Sequence, residues 1–163
     1  MTPLAEIRLV VFDFDGVFSD NRVWTNDRGE ESVAGCRADT YGLRRLDEVG
    51  VEYVILTSET NDAVPARARK MRIECIRGVE DKLPVLRHEL ARRGVSPAET
   101  AYLGNDVNDA ECLAAVGLSV VPADAWEEVV PLASIVLTRN GGHGCVREFC
   151  DAVWNAKRTA AAA

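Results

Sequence analysis

Two aspartates close the first apolar run of the sequence and could act together on one substrate. The run ends in Val-Phe-Asp-Phe-Asp-Gly, so Asp13 and Asp15 lie two positions apart, directly before Gly16. Side chains two positions apart on a strand point the same way, so we expect both carboxylates to face one site. A calcium-binding loop needs an acidic fifth position and glycine at the sixth, and Val17 breaks that pattern. A simple Asp-Gly turn is the remaining structural alternative.

Further polar residues follow three other elements of the chain. Taken singly, each has a structural explanation: the Leu-Thr-Ser-Glu stretch as a helix N-cap, the lysine as a surface residue, and Gly-Asn-Asp-Val-Asn-Asp as a turn with a cap. In an open parallel α/β sheet, ligands bind beyond the carboxyl ends of the strands. The shared position at strand ends therefore favours one common site. The residues concerned are Thr57, Ser58, Lys82, Asn105, Asp106, Asn108 and Asp109.

The elements that must position these residues alternate between apolar, strand-like runs and helical patterns. This alternation predicts βαβ units and a parallel sheet. Strands are predicted near residues 8–12, 51–57, 73–76, 100–106 (with the loop that follows), 118–121 and 134–137; helices are predicted near 40–50, 62–70, 80–94, 110–117, 126–130 and 145–154. The predicted fold is an α/β, Rossmann-like parallel sheet flanked by helices.

One segment departs from this alternation. Residues 18–35 are rich in turn formers, and the Asn-Asp-Arg-Gly stretch between two short strand patterns predicts a β-hairpin flap directly after the Asp13 strand. No second block of the chain could form a cap domain. We therefore expect a single domain over residues 1–158, with a tail at 159–163.

Composition limits the partners. The 163 residues are 47% hydrophobic and carry a formal net charge of −7, which argues against nucleic-acid binding and leaves a small anionic substrate possible in a locally positive pocket. No apolar stretch approaches the roughly 20 residues of a membrane span. Five scattered cysteines without a paired motif predict reduced thiols and a cytoplasmic protein rather than a zinc site.

In combination, the motifs resemble the haloacid dehalogenase superfamily of aspartate-nucleophile phosphotransferases, over nearly the whole chain. The stretches that carry the resemblance are DFDGVFSD, ILTSET, GVEDKL, AYLGNDVNDAECL and NGGHGCVREF. The chain is most similar to the capless branch of octulosonate 8-phosphate phosphatases and phosphatases of nine-carbon, sialic-type acid 9-phosphates. It is also similar to the C-terminal module of vertebrate CMP-sialic acid synthetase.

The resemblance implies a role for each motif. Asp13 would attack phosphorus and form an aspartyl-phosphate, and Asp15 would act as the acid and then the base. Thr57 would hydrogen-bond the phosphoryl group, while Lys82 would hold Asp13. Mg²⁺ would remove the repulsion between carboxylate and phosphate. The implied metal ligands are Asp13, Asp15, Asn105 and Asp106, and the implied substrate-binding residues are Gly16, Ser58, Glu59, Arg67 and Lys70.

Two residues depart from the phosphatase pattern. The phosphatases usually carry glycine at the position of Ser58, and a metal-binding aspartate at the position of Asn105. An amide oxygen is a weaker ligand for a hard cation than a carboxylate. The synthetase module shares this serine and asparagine and assists assembly more than catalysis. A module with little or no activity is therefore the alternative function.

The resemblance also bears on substrate and assembly. Nine-carbon phosphatases carry Glu, Arg and Lys matching Glu59, Arg67 and Lys70, whereas octulosonate phosphatases typically have Arg in place of Glu59. This favours a nine-carbon acid sugar phosphate, with Arg67 bound to its carboxylate. A solvated basic helix is the alternative explanation of Arg67 and Lys70. The resembling enzymes are homotetramers whose hairpins pack together, and Trp24 in the predicted hairpin suits such a contact.

Overall fold

A six-stranded parallel sheet forms the framework of the computed structural model, which describes residues 3–162. Its strands are β1 (Leu9–Phe12), β4 (Glu52–Leu56), β5 (Glu74–Ile76), β6 (Thr100–Leu103), β7 (Leu118–Val121) and β8 (Ile135–Val136). The strand order is β5-β4-β1-β6-β7-β8. The chain adds β4 and β5 on one side of the central strand β1 and then β6, β7 and β8 on the other, so the strand order reverses at β1. The predicted Rossmann-like fold is confirmed, and the reversal marks the place where such sheets bind ligands.

Five α-helices of the described chain cover the two faces of this sheet. They are α1 (Ala38–Glu48), α2 (Ala63–Met71), α3 (Lys82–Arg93), α4 (Ala110–Ala115) and α5 (Cys145–Ala161). The central strand shows why both faces need cover, because all four of its residues are buried. Val10 and Phe12 pack with α1, α2 and α5, whereas Leu9 and Val11 pack with α3 and α4. A continuous apolar run is the pattern expected of such a strand.

The strand register brings the ends of three strands level with one another. Phe12, the last residue of β1, pairs with Ile55 of β4 and with Leu103 of β6. The ladder extends one step further, since the backbone N–H of Asp13 donates to the carbonyl of Leu103 at 2.9 Å. The residues that follow β1, β4 and β6 therefore emerge at one edge of the sheet.

The predicted hairpin is confirmed as a separate antiparallel pair, β2 (Trp24–Thr25) and β3 (Glu31–Ser32). Its turn is held by Asn26, whose Oδ1 accepts the backbone N–H groups of Arg28 at 2.9 Å and Glu30 at 3.0 Å. The hairpin stands clear of the sheet, and one side-chain bond fixes it to the loop before α2: Asn61 Nδ2 donates to Glu31 Oε2 at 3.1 Å.

One predicted helix and one predicted helix end are wrong. Residues 126–130 do not form a helix; this segment is made of turns that lead into a 3₁₀ turn, Val130–Leu132. Pro131 is the physical reason, because proline has no N–H to donate and keeps the preceding residue from the α conformation. Helix α5 continues to Ala161 rather than ending at Trp154, so residues 159–161 of the predicted tail are helical. Alanine is the best helix former, and no breaker interrupts this stretch.

All five cysteines are free. Within residues 3–162, no helix combines the length and the apolar character needed to cross a bilayer.

Candidate active site

Asp13 is the buried centre of the site. Its carboxylate Oδ1 accepts the backbone N–H of Phe14 at 2.7 Å and lies 3.0 Å from Nζ of Lys82, the first residue of α3. Burial, helped by the negative charge of Asp109, raises the pKa of Asp13 to about 7, although Lys82 opposes the rise. The geometry thus places a carboxylate at the end of the central strand with a lysine held against it.

Lys82 joins two carboxylates. Its Nζ lies 3.0 Å from Asp13 and 2.7 Å from Asp109, and all three side chains are buried. Burial alone would lower the pKa of Lys82, but the two carboxylates outweigh it and raise the pKa above its ordinary value. The lysine therefore stays charged and balances part of the negative charge that surrounds it.

Asp109 organises the loop after β6 rather than facing a ligand. Its Oδ1 accepts the hydroxyl of Tyr102 at 2.7 Å as well as Lys82. Its Oδ2 accepts the backbone N–H groups of Asn105 at 2.9 Å and Asp106 at 3.4 Å. Four donors converge on one fully buried carboxylate, so Asp109 is satisfied by the protein itself.

Asn105 carries a buried side-chain oxygen without a hydrogen-bond partner. The side chain is buried, and its Oδ1 has no hydrogen-bond partner, which is rare for a buried polar atom. The amide packs so closely on Gly16 that a Cβ at residue 16 would overlap with it, and Gly16 also adopts a left-handed backbone with φ of 78°. Asp106 is half-buried, and its Oδ1 accepts the N–H of Val107 at 2.7 Å, which caps the short turn that follows.

Asp15 is held by a residue that the sequence analysis missed. Its Oδ1 accepts the hydroxyl of Ser19 at 2.9 Å, while Ser19 Oγ itself accepts the N–H groups of Gly16 at 3.4 Å and Asn21 at 3.3 Å. Burial raises the pKa of Asp15; the Ser19 bond opposes the rise, and the charge of Glu59 adds to it. A serine four positions after the second aspartate, beside turn residues, was the available signal.

The loop after β4 contributes Thr57 and a well-satisfied turn. Thr57 is buried, and its Oγ1 accepts the N–H of Glu59 at 3.1 Å. Glu59 Oε1 in turn accepts the N–H groups of Thr60 at 2.6 Å and Asn61 at 3.0 Å. Ser58 is exposed and is not among the non-glycine residues with a left-handed backbone in the described chain. Serine at this position therefore introduces no backbone strain.

Neither Arg67 nor Lys70 forms an ion pair with Asp13 or Asp15 within the described chain. The Arg67 guanidinium donates through Nη2 to the carbonyl of Cys36 at 3.1 Å and lines a cavity of about 220 Å³ beside the hairpin strand β3. Lys70 is exposed near the end of α2. Neither residue lines the cavity beside Asp15. Within one chain, the structure thus brings only Glu59 of this predicted trio next to Asp15.

Gly141 and Gly142, in the stretch NGGHGCVREF, pack against the backbone of the loop that follows Asp13. A Cβ at Gly141 would overlap with the carbonyl of Gly16, and a Cβ at Gly142 would overlap with the backbone of Asp20. The N–H of Gly142 donates to the carbonyl of Val17 at 2.9 Å. The motif therefore shapes the site through its backbone and adds no reactive side chain.

The donor set fits a hard cation. Asp13 offers a carboxylate and Asn105 an unpartnered amide oxygen, both of the oxygen type that Mg²⁺ takes. Across residues 3–162, no group of three or more His, Cys, Asp or Glu side chains could hold a metal ion. A cation at this site would consequently depend on amide and main-chain oxygens as well as on carboxylates.

Comparisons with known proteins agree with this architecture, although no family model matches the chain. The chain is 37% identical over 150 residues to the 3-deoxy-D-manno-octulosonate 8-phosphate phosphatase of Yersinia pestis, covering 91% of this chain and 80% of that protein. A Streptomyces avermitilis protein assigned to the HAD hydrolase family is 38% identical, with a TM-score of 0.89, over 93% of this chain and 88% of that one.

A third comparison concerns a liganded structure. The octulosonate phosphatase of Moraxella catarrhalis, in complex with magnesium, phosphate and the sugar acid KDO, is 29% identical with a TM-score of 0.92, covering 98% of this chain and 92% of that one. The fold and the site thus define a capless phosphoric monoester hydrolase of the haloacid dehalogenase superfamily. Within that superfamily, the chain belongs to the family of 3-deoxy-D-manno-octulosonate 8-phosphate phosphatases.

We expect Asp109→Asn to destabilise the protein strongly. The amide would remove one charge beside Lys82 and turn an N–H₂ group towards donors, and breaking a buried pair in this way costs about 3–5 kcal/mol. Urea unfolding followed by circular dichroism measures the loss. Asp106→Asn is the matched control, because Asp106 is half-buried and its side chain takes part in no ion pair of the described chain. Equal stabilities of the two variants would contradict the organising role of Asp109.

Proposed function

We propose that this protein is a Mg²⁺-dependent phosphatase that releases phosphate from an ulosonic acid phosphate through an aspartyl-phosphate. The observation that carries the proposal is the buried Asp13 carboxylate fixed by Lys82, together with the buried, unpartnered Oδ1 of Asn105, whose amide packs on Gly16. The matching relatives, which are named for an octulosonate 8-phosphate, support the class of substrate.

The two aspartates divide the chemistry. An oxygen of Asp13 attacks phosphorus, the bond from phosphorus to the sugar oxygen breaks, and protonated Asp15 gives its proton to that oxygen. Asp15 then takes a proton from the water that attacks the acyl-phosphate, which regenerates Asp13 and releases inorganic phosphate. The raised pKa of Asp15 supports its first role, because a carboxylic acid must hold a proton before it can donate one.

Lys82 and Thr57 stabilise the negative charge on the phosphoryl group. Lys82 orients the Asp13 carboxylate and lowers the negative potential that an incoming phosphate dianion meets. Thr57 lies buried at the end of the neighbouring strand, where its hydroxyl can donate to a phosphoryl oxygen.

Magnesium would be held by Asp13, Asn105 and the main chain at Asp15, with Asp106 as a further candidate. When bound, it supplies positive charge between two negative reactants. A cation at Asp13 would also keep that carboxylate ionised at neutral pH, against the burial that raises its pKa. The orphaned Asn105 oxygen is the observation that supports a ligand there.

Two sizes of sugar acid remain candidates. The named relatives favour the eight-carbon octulosonate 8-phosphate. Glu59, which lies close enough to Asp15 to raise its pKa, favours a nine-carbon acid 9-phosphate through the resemblance described above. Arg67 and Lys70 do not line the cavity beside Asp15 within a single chain, so they add less support for the nine-carbon acid than Glu59 does.

The alternative is an assembly module with little activity, which rests on Ser58 and Asn105. Two observations weigh against it. The backbone at Ser58 is unstrained, and the buried Asn105 oxygen has no hydrogen-bond partner that a cation would need to displace. Both residues are therefore compatible with a working phosphatase.

Wild-type protein should release phosphate from octulosonate 8-phosphate or a nine-carbon 9-phosphate with Mg²⁺, and Asp13→Asn should abolish this release. Loss of the nucleophile raises the barrier by about 3 kcal/mol or more, so less than a few per cent of activity should remain. A phosphate-release assay on both substrates measures this, with circular dichroism to show that the variant is folded. Higher residual activity would exclude covalent catalysis at Asp13, and an inactive wild type would favour the assembly module.

Asn105→Asp should bind Mg²⁺ more tightly than the wild type does. A carboxylate attracts a hard cation more strongly than an amide oxygen, so half-maximal activity should require less Mg²⁺. Mg²⁺ titration of phosphate release, together with calorimetric titration of the metal alone, compares the two proteins. Asn155→Asp, the same exchange at an exposed position on α5, is the control for a general gain of negative charge. Identical metal affinities would show that Asn105 is not a ligand.

The proposal includes a homotetramer in which the hairpins pack together. Val23 is 53% exposed and Trp24 72% exposed, so the hairpin carries apolar surface that an assembly would cover. Deleting residues 22–32 should then yield monomers with lower activity, as measured by light scattering and phosphate release. A deletion variant that keeps the oligomeric state of the wild type would contradict this contact.

A further inference from the structure

Ser19 is a fully buried residue that joins the Asp15 carboxylate to the turn behind it. Its hydroxyl donates to Asp15 Oδ1 at 2.9 Å, while its Oγ accepts the backbone N–H groups of Gly16 at 3.4 Å and Asn21 at 3.3 Å. A serine hydroxyl has one proton to donate and two lone pairs with which to accept. Backbone donors occupy both lone pairs, so the single proton of Ser19 is left for Asp15.

The backbone around Ser19 holds this hydroxyl in place. The N–H of Ser19 donates to the carbonyl of Phe14 at 3.2 Å, and Ser19 forms an isolated antiparallel bridge with Gly35. The neighbouring Phe18 stacks on Phe14 with ring centroids 5.9 Å apart. Asn21 has a φ of 63°, a left-handed conformation that is uncommon outside glycine. All these contacts lie within one chain, so the placement of the hydroxyl does not depend on a neighbouring subunit.

The direction of the bond between Ser19 and Asp15 distinguishes the two carboxyl oxygens. Because both lone pairs of Ser19 are occupied, Asp15 Oδ1 can accept a proton from the serine but cannot give one to it. Asp15 Oδ2 has no hydrogen-bond partner among residues 3–162, and the side chain is only half-buried. One oxygen is thus fixed by the protein, and the other is left open.

We propose that Ser19 is a positioning residue for Asp15: it binds Oδ1 and reserves Oδ2 for proton exchange with the reacting oxygens. This role rests on the proposed function. In the first step Asp13 attacks phosphorus, the bond to the sugar oxygen breaks, and the proton on Oδ2 passes to that oxygen. In the second step water attacks the acyl-phosphate, one of its protons passes to Oδ2, and the bond from phosphorus to Asp13 breaks. Ser19 keeps its own proton throughout.

The test compares Ser19→Ala with the wild type on two esters that differ in their need for an acid. The alkoxide that leaves octulosonate 8-phosphate needs a proton, whereas p-nitrophenolate leaves p-nitrophenyl phosphate without one. A positioned acid contributes about 10²- to 10⁴-fold, so we expect kcat/KM on the sugar ester to fall about 10- to 100-fold. On the aryl ester, kcat/KM should change by less than about threefold, because its transition state needs no proton from Asp15.

Ser119→Ala is the matched control for a general loss of stability. Ser119 is a buried serine on β7 whose Oγ accepts the N–H of Ser134 at 2.9 Å and donates to the carbonyl of Leu132 at 2.8 Å. Its removal should leave the ratio of kcat/KM on the two esters unchanged. If Ser19→Ala does not fold, Ser19→Thr and Ser19→Val replace it, since they have the same shape and differ in the hydroxyl. The ratio of sugar-ester to aryl-ester kcat/KM should then be lower for valine.

Equal losses on both esters for Ser19→Ala, or no loss on the sugar ester, would overturn the positioning role while wild-type activity still supported the proposed function. A wild type that hydrolyses arabinose 5-phosphate but no ulosonic acid phosphate would refute only the proposed substrate. The ratio of arabinose 5-phosphate to aryl ester would then decide the role of Ser19 in the same way. A wild type that is inactive on every ester would overturn both proposals.

Discussion

The ion pair network centred on Lys82 is the interaction on which the rest of the site depends. A buried ammonium is costly unless carboxylates surround it, and removing one partner leaves an uncompensated charge in the interior. Lys82 meets this requirement through Asp13 after β1 and Asp109 after β6, and it begins α3. One side chain thereby fixes two strand ends and one helix relative to each other.

The need to balance the charge of Lys82 also explains why the polar residues of the loop after β6 differ in role although they are close in sequence. Asp109 is fully used by Lys82, Tyr102 and two backbone N–H groups, and Asp106 caps the turn between them. Asn105 alone is left with a buried oxygen that nothing in the protein satisfies. A neutral amide at that position also avoids a third carboxylate beside Asp13 and Asp109, whose mutual repulsion already contributes to the raised pKa of Asp13.

Much of this could be predicted from the sequence because strand periodicity and chain order are local signals. The spacing of Asp13 and Asp15 predicted a shared site, and the alternation of elements predicted the sheet that places Thr57 and Lys82 beside them. The roles of Asp109 and Ser19 were not predictable, since both depend on which donors converge after folding. The helix predicted at 126–130 does not form, because Pro131 disfavours the α conformation at the residue before it. The contact of Arg67 with the carbonyl of Cys36 was not predictable either, because a helical face does not show which neighbour the helix packs against.

The segment around Gly142 and Cys145 contacts the loop after β1, and this contact determines when the site can form during synthesis of the chain. The carbonyl of Val17 accepts a hydrogen bond from the thiol of Cys145, which lies 128 positions later in the sequence. The same carbonyl accepts the backbone N–H of Gly142, which holds Gly142 against the turn that follows Asp15. Contacts of such separation close large loops and form late in folding. On a ribosome, the aspartates are made long before the backbone that supports them. The reactive carboxylates therefore take up their working arrangement only after the segment around Gly142 has been synthesised.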